Sequence, residues 1–535
     1  MNTGKQAIEN GKAVLGIELG STRIKAVLLG EQYETLAVGT SDWENHLENN
    51  IWTYPLEEVW SGVQESYASM AKDAAEKYGV TIKTLKSIGF SAMMHGYLPF
   101  DKNDRQLTAF RTWRNTMTGD AVKELTDLFQ YNVPLRFSIA HLYQAVLNGE
   151  PHVKDVSFFT TLAGYVHWKL TGKKELGIGD ASGMFPIDIA KGTFNEHMIA
   201  LFNDLVHQKG ILWNLEDLLP DVKKAGEAAG TLTAEGAKLL DPTGNLVPGI
   251  PLCPPEGDAG TGMVATNSVA AKTGNVSAGT SIFAMIVLEK ELSKVHPEID
   301  MVTTPSGELV AMAHANNCSS DLNAWANIFR EFSEEAGIKM DPSKLYGILF
   351  NTAMKGDKDC GGVLSYGFLS GENIFPLNAG RPLITRLPDS NFNLSNLMRA
   401  NISTAFGAVR MGLDILTEQE GVTIDEITGA GGIFKTPGVA QKIMAAAFNT
   451  RVSIMETAGE GGAWGMAVLA AFLTDKKDGE TLSDFLKNRI FVGQQKTVAD
   501  PDPEDVRGFN DFMQRYQDGL EIEYAAVEHL KEKES

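Results

Sequence analysis

The stretch Ala13-Val14-Leu15-Gly16-Ile17-Glu18-Leu19-Gly20-Ser21-Thr22-Arg23-Ile24-Lys25-Ala26-Val27-Leu28-Leu29 decides the fold. Two apolar runs flank a small polar turn, the pattern of a β-hairpin. The turn offers backbone N–H groups and the hydroxyls of Ser21 and Thr22, which suit a phosphate, and Lys25 lies just past it. Lys25 reads equally as a solvated strand residue. Glu18 either holds Mg²⁺, through water, or sits exposed on a half-buried strand. The same pattern returns in Asn275 to Leu288, where Gly279, Thr280 and Ser281 form the turn. Two such hairpins, each opening one half of the chain, imply a duplicated α/β core with a ligand cleft between the halves.

Length and composition agree. A chain of 535 residues exceeds one hydrophobic core, so two large domains are expected. With 43% apolar and 21% charged residues it is a folded globular protein. A net charge of -21 argues against nucleic acid and anionic membrane as partners. An anionic ligand such as ATP would need local positive groups: backbone amides, a helix N-terminus, a metal ion or a few basic side chains. Cys253, Cys318 and Cys360 are scattered and show no metal-ligand or disulfide spacing, which fits a reducing cytoplasm. The polar N-terminus lacks a signal-peptide apolar region, and no run is apolar enough to span a membrane.

Near the midpoint, the apolar run Gly249 to Cys253 gives way to Pro254-Pro255-Glu256-Gly257-Asp258-Ala259-Gly260-Thr261-Gly262-Met263. Asp258 has two readings: a general base at a strand end, or the N-cap of the helix that follows. An acid at a helix N-terminus is expected to stay ionised under either reading. Glu256 reads as a surface residue or a support for its neighbour. A strand from Leu85 to Phe90 ends in a small polar loop that contains Met94 and His95, the position at which α/β proteins place ligands. Trp113, with Arg111 and Arg114, could form an aromatic wall with polar edges. Ile424 to Thr428 is a strand entering Gly429-Ala430-Gly431-Gly432-Ile433-Phe434, with a helix from Val439 to Phe448 behind it. Such a glycine-rich turn permits close approach of a nucleotide, although it is not a P-loop. Further helices are expected from Pro55, over Phe158 to Leu170, over Leu394 to Leu416, from Gly459-Glu460-Gly461-Gly462 through Leu469, and in the tail beyond Pro501.

These segments, in this order, resemble the FGGY family of carbohydrate kinases. Glu18 to Lys25 is similar to the family's first phosphate loop, and Met94-His95-Gly96 to the sugar-site Met-His-Gly of pentulose kinases. Leu170-Thr171-Gly172 and Asp180-Ala181-Ser182-Gly183 resemble two further family segments. Asp258 falls where the family carries its catalytic aspartate. Gly279-Thr280 is similar to the second phosphate loop, Leu369-Ser370-Gly371-Glu372 to a signature region, and Gly429 to Gly432 to the adenosine loop. The resemblance implies duplicated ribonuclease-H-like, actin-like ATPase domains. Residues 13–268 would be the sugar-binding and catalytic domain, and 269–535 the nucleotide-binding domain with a helical tail. It implies ATP and Mg²⁺ as cofactors and a primary hydroxyl of a ketopentose as acceptor. Asp258 would be the base. Met94, His95, Trp113 and Arg114 would contact sugar, and Ser21, Thr22, Lys25, Gly279, Thr280, Gly431, Gly432 and Phe434 would contact nucleotide.

Three departures bear on the substrate. Glu18 replaces the family's usual Asp, Trp113-Arg114-Asn115-Thr116 lacks an acid the family often has, and Ala140-His141-Leu142-Tyr143 replaces its Lys-Leu-x-Trp. L-Ribulose and D-xylulose both remain, with a lean to L-ribulose, and a polyol or another ketose is an alternative acceptor. An actin-like, nucleotide-gated binding protein is the competing class. Oligomeric state is open, a homodimer being one alternative.

Overall fold

The structure, a computed structural model, describes residues 3–455 and 461–531. The chain forms two units, one of residues 1–269, 301–310 and 460–492 and the other of 270–300, 311–459 and 493–535. The first change of unit falls after residue 269. The return of 460–492 to the first unit was not expected, because local pattern carries no information about which sheet a late helix packs on.

The first unit is built on a five-stranded sheet. The hairpin strands are β1 (Val14–Leu19) and β2 (Arg23–Leu29), followed by β3 (Thr35–Asp42). Gly20 N–H donates to Arg23 O at 3.0 Å, closing the turn. A long helix, α1 (Leu56–Tyr78), starts behind Pro55 with Glu57 and Glu58 in its first turn, where acids complement the helix dipole. It packs on β3. Strand β4 (Ser87–Ala92) then lies parallel to β1. The helix expected from Phe158 begins later, as α2 (Leu162–Thr171), because Phe158–Thr160 pairs as a strand and the Thr161 hydroxyl caps Gly164 N. Strand β5 (Glu256–Gly257) pairs parallel to β4 and leads directly into α3 (Asp258–Ala265). The sheet order is therefore β3-β2-β1-β4-β5.

The second unit repeats this arrangement. Its hairpin is β6 (Thr273–Ala278) and β7 (Ile282–Val287), with β8 (Ile299–Thr303) and β9 (Leu309–Ala315) following. Helix α4 (Leu394–Asp414) is buried along most of its length. Then come β10 (Glu426–Ala430), α5 (Val439–Phe448) and β11 (Arg451–Met455). Gly459 and Glu460, expected to open the next helix, lie outside the described residues; from Gly462 that helix, α6 (Gly462–Asp475), is formed. Strand β12 (Lys496–Ala499) completes a seven-stranded sheet of order β8-β9-β7-β6-β10-β11-β12. Within it, β9-β7-β6-β10-β11 has the order of the first sheet, and β6, β10 and β11 run parallel as β1, β4 and β5 do. The duplication inferred from two hairpins is thus a duplication of whole sheets.

Helix α6 belongs to the first unit, where it packs on β1, β4 and α3. With α1 across β3 and β2, the first sheet is covered on both faces. That explains why β1 and β2 read as near-continuous apolar runs rather than alternating ones.

Candidate active site

Register places the carboxyl ends of β1, β4 and β5 together. Leu19 and Gly257 both pair with Ala92, and Glu18 and Glu256 both pair with Ser91. Ligands bind at such strand ends in open α/β sheets. The hairpin turn, the Met94–His95 loop and Asp258 therefore converge, although they are far apart in sequence.

Asp258 is the first residue of α3, and the cap position is Gly257, which has no side chain to cap with. The carboxylate reaches the neighbouring loop, where Oδ1 accepts the Met94 N–H at 3.0 Å, and it is also held by the amides of Ala259 and of Asp258 itself. Asp258 thus opens the helix, and the cap position itself belongs to Gly257. Solvent reaches Asp258. The surrounding protein nonetheless desolvates it and raises its pKa, which the amides of Met94 and Ala259 oppose. Desolvation outweighs these amides, so the carboxyl sits above the ordinary aspartate value. A raised carboxyl is better matched to proton abstraction near neutral pH.

Glu18 is half-buried beside Asp258 rather than out on an exposed strand. Its Oε2 accepts from Thr261 Oγ1 at 3.2 Å and from Ser91 Oγ at 3.5 Å. Burial, then the charge of Asp258, pushes it up to about 7, while Lys25, its cross-strand partner, pulls the other way. The close approach of α6 behind it requires glycine: a Cβ on Gly462 would lie 1.6 Å from Glu18 Oε2 and 2.8 Å from Thr261 Oγ1.

Two more acids lie beneath. Glu256 is 1% exposed, which corrects the surface reading; its Oε2 accepts the Asp180 N–H at 2.9 Å and its Oε1 the Gly179 N–H at 3.3 Å. Asp180 is fully buried and accepts from Thr161 Oγ1 at 2.6 Å. Burial, and then each acid's negative neighbour, holds both carboxyls well above the usual range. Sequence gave no reason to separate Glu256 from an exposed glutamate, because its amide partners arrive from a segment more than seventy residues earlier.

His95 sits in the left-handed region at φ 72°, buried, with its ring stacked on Phe137 at 5.4 Å. The sugar-wall candidates separate. Arg111 is buried in an ion pair with Glu150, whereas Arg114 lies over the Trp52 ring at 4.0 Å and Trp113 is 39% exposed. Among the described residues, no side-chain hydrogen bond joins Trp113 or Arg114 to Asp258, Met94 or His95. In the hairpin turn, Thr22 is exposed and Ser21 half-buried. Trp43 Nε1 donates to Gly20 O at 2.7 Å and Tyr54 OH to Ser21 O at 2.6 Å, which fixes the turn's backbone.

In the second unit the equivalent strand ends carry the other turns. Gly279 N–H donates to Ser281 O at 2.9 Å, and Ser319 N–H and Cys318 N–H hold Gly279 O and Thr280 O from outside. Gly279 and Thr280 are exposed. Gly431, at φ 119°, passes so close to β6 that a Cβ would lie 2.0 Å from Ala278 O. Gly432 is exposed beside it. Phe434 is not: its ring is buried, 6.5 Å from Phe406. Its ring packs beneath the glycine loop, beside Gly429.

Residues 13–264 match the N-terminal domain of the FGGY family of carbohydrate kinases, and residues 274–474 match its C-terminal domain. The chain is 24% identical over 530 residues to a xylulose kinase of Haemophilus influenzae, covering 94% of this chain and 98% of that protein. The crystal structure of a xyloylose kinase from Brucella ovis superposes with a TM-score of 0.76 at 20% identity, covering 97% of this chain and all of that one. A gluconate kinase from Lactobacillus acidophilus superposes with a TM-score of 0.75 at 16% identity, covering 96% of this chain and 98% of that one.

Proposed function

The chain belongs to the FGGY family of carbohydrate kinases, and from that premise we propose that it transfers the γ-phosphoryl group of ATP to a primary hydroxyl of a ketopentose. The observation that carries this reading is Asp258: one carboxylate oxygen is tied to the Met94 amide, in a site that raises its pKa and admits solvent. The sugar hydroxyl approaches Asp258, which takes its proton as the oxygen attacks phosphorus. Phosphoryl transfer needs little covalent help from protein, so positioning and charge stabilisation supply most of the rate.

In this reading the two turns, with the amides and hydroxyls of Ser21, Thr22, Gly279 and Thr280, and Lys25, receive phosphate oxygens. Gly431 and Gly432 give the nucleotide close access to backbone. Glu18 suits Mg²⁺ held through water: the charge of Asp258 disfavours its ionised form, and a cation, which would also offset phosphate charge, would relieve that repulsion. Trp113 and Arg114 frame the sugar side, with Met94 and the loop around His95.

The named xylulose kinase relative supports D-xylulose ahead of L-ribulose, which moves the lean away from the sequence-based one. A panel of D-xylulose, L-ribulose, D-ribulose, glycerol and gluconate in an ADP-coupled assay tests this. The proposal expects one ketopentose to exceed the other acceptors in kcat/KM by about 10-fold or more. ADP release independent of every acceptor would sink it and favour the nucleotide-gated class.

A further inference from the structure

His95 raises a question that the proposed mechanism leaves open: what its imidazole is for. Both ring nitrogens face protein. Nδ1 lies 3.2 Å from Gly183 O, a carbonyl that can only accept, so Nδ1 must carry the proton. Nε2 lies 3.0 Å from Arg136 Nε, which can only donate, so Nε2 must offer its lone pair. Together the two contacts select a single state of the ring, neutral and protonated on Nδ1. An imidazolium would set an N–H against the Arg136 N–H, two donors facing with like charge.

The backbone at this point explains why that matters. His95 is held at φ 72°, a region that costs a non-glycine residue free energy unless its surroundings over-determine it. Its ring anchors are Arg136, Phe137 and Gly183, from segments more than forty residues away. The residue immediately before it, Met94, supplies the amide that holds Asp258.

We propose that Arg136 is a positioning residue of this active site: by donating to Nε2 of His95 it keeps the imidazole neutral, and so holds the strained Met94–Gly96 turn whose amide orients Asp258. This rests on Asp258 being the base of the kinase reaction. The charged and titratable groups around His95 include Arg136 itself, Asp180, which interacts with the His95 amide, and Asp258, reached through Met94. Phe137 and Gly183 contribute no charge.

Two measurements test it. First, long-range ¹⁵N–¹H correlation spectra of the histidine-labelled wild-type chain, with His95 assigned by its loss in His95→Gln, should show Nδ1 protonated and Nε2 bare between pH 6 and 8. An Nε2–H or doubly protonated His95 would overturn the proposal. This readout needs no turnover, so it stands even if the acceptor sugar is misassigned. Second, Arg136→Gln should add an acid limb to the pH profile of kcat/KM: parity with wild type at pH 8.5, and a deficit growing by about 10-fold per pH unit below about pH 6.5. Any limb from Asp258 occurs in both enzymes and cancels in the ratio. Arg136→Lys, which restores the positive charge and, unlike the glutamine amide, offers no oxygen to accept an imidazolium N–H, should recover part of the deficit. A constant wild-type to Arg136→Gln ratio across that range would refute the positioning role and leave Arg136 structural only.

Discussion

Replacing Gly462 by alanine places one methyl group where the site has no room. The new Cβ would be 1.6 Å from Glu18 Oε2, so the carboxylate must retreat by about 1.8 Å to reach ordinary contact. Thr261 Oγ1, at 2.8 Å, must give by a smaller amount. Both obstacles are tips of side chains, so the fold can yield. Gly462 is the first residue of α6 and lies outside the left-handed region. Alanine there gains up to about 1 kcal/mol of helix propensity against about 1–3 kcal/mol for overpacking. The expected stability change is therefore modest, a fall in Tm of no more than about 5 °C. The expected change in turnover is large, because a displacement beyond 1 Å at a positioned group costs on the order of 10²-fold. The assay is kcat at saturating ketose and ATP, with Mg²⁺ titrated in parallel and thermal unfolding by circular dichroism. Loss of about 10²-fold in kcat, with a higher Mg²⁺ requirement and a near-native melting curve, is the expected result. A kcat within about 3-fold of wild type would refute the claim that the placement of Glu18 matters to the reaction.

Asp258→Asn keeps the Met94 contact geometry but removes the base, so kcat should fall by about 10²–10⁴-fold while sugar binding by calorimetry persists; near-normal turnover would remove Asp258 from the mechanism. Because the carboxyl of Asp258 is raised, kcat should decline on the acid side as it protonates, at a higher pH than an ordinary aspartate would give; a profile flat down to pH 4 contradicts this. Glu256 is raised from 4.5 to about 8, so the folded state binds the proton more tightly than the unfolded chain. Its contribution to stability is complete below about pH 4.5 and is lost as pH rises toward about 8; Glu256→Gln should flatten the decline of Tm between pH 5.5 and 8.5, and an unchanged slope would contradict the assignment. Gly431→Ala combines a positive φ with a 2.0 Å approach to Ala278 O, and backbone cannot step aside as a side-chain tip can. It should cost at least about 1–3 kcal/mol and weaken ADP binding; an unchanged Kd in a fluorescent-nucleotide titration would show that the glycine loop does not touch nucleotide.

What was legible in the sequence was local. The hairpins were readable because apolar runs around a Gly-Ser-Thr turn have few alternatives, and Val439–Phe448 appears with the bounds its periodicity implies. The glycine loops were visible because close backbone approach demands residues without a Cβ, as Gly431 shows. Asp258 stood out because its flanking residues are small. What the sequence left undetermined was every relation between distant segments. Glu256 and Asp258 are two residues apart in sequence, yet one is sealed under two amides and the other is open to solvent, and only the passage of the chain from β5 into α3 and the arrival of Gly179 and Asp180 decide which. The value of Glu18 depends on Asp258, Thr261 and a helix that begins more than four hundred residues later. His95 reads only as a site candidate until Arg136 and Gly183 meet its ring nitrogens. Local patterns record a residue's propensity and its period, which fix strands, turns and helices within a few positions. Burial, charge state and hydrogen-bond partners are set by long-range packing, and that is where the chemistry of this site is decided.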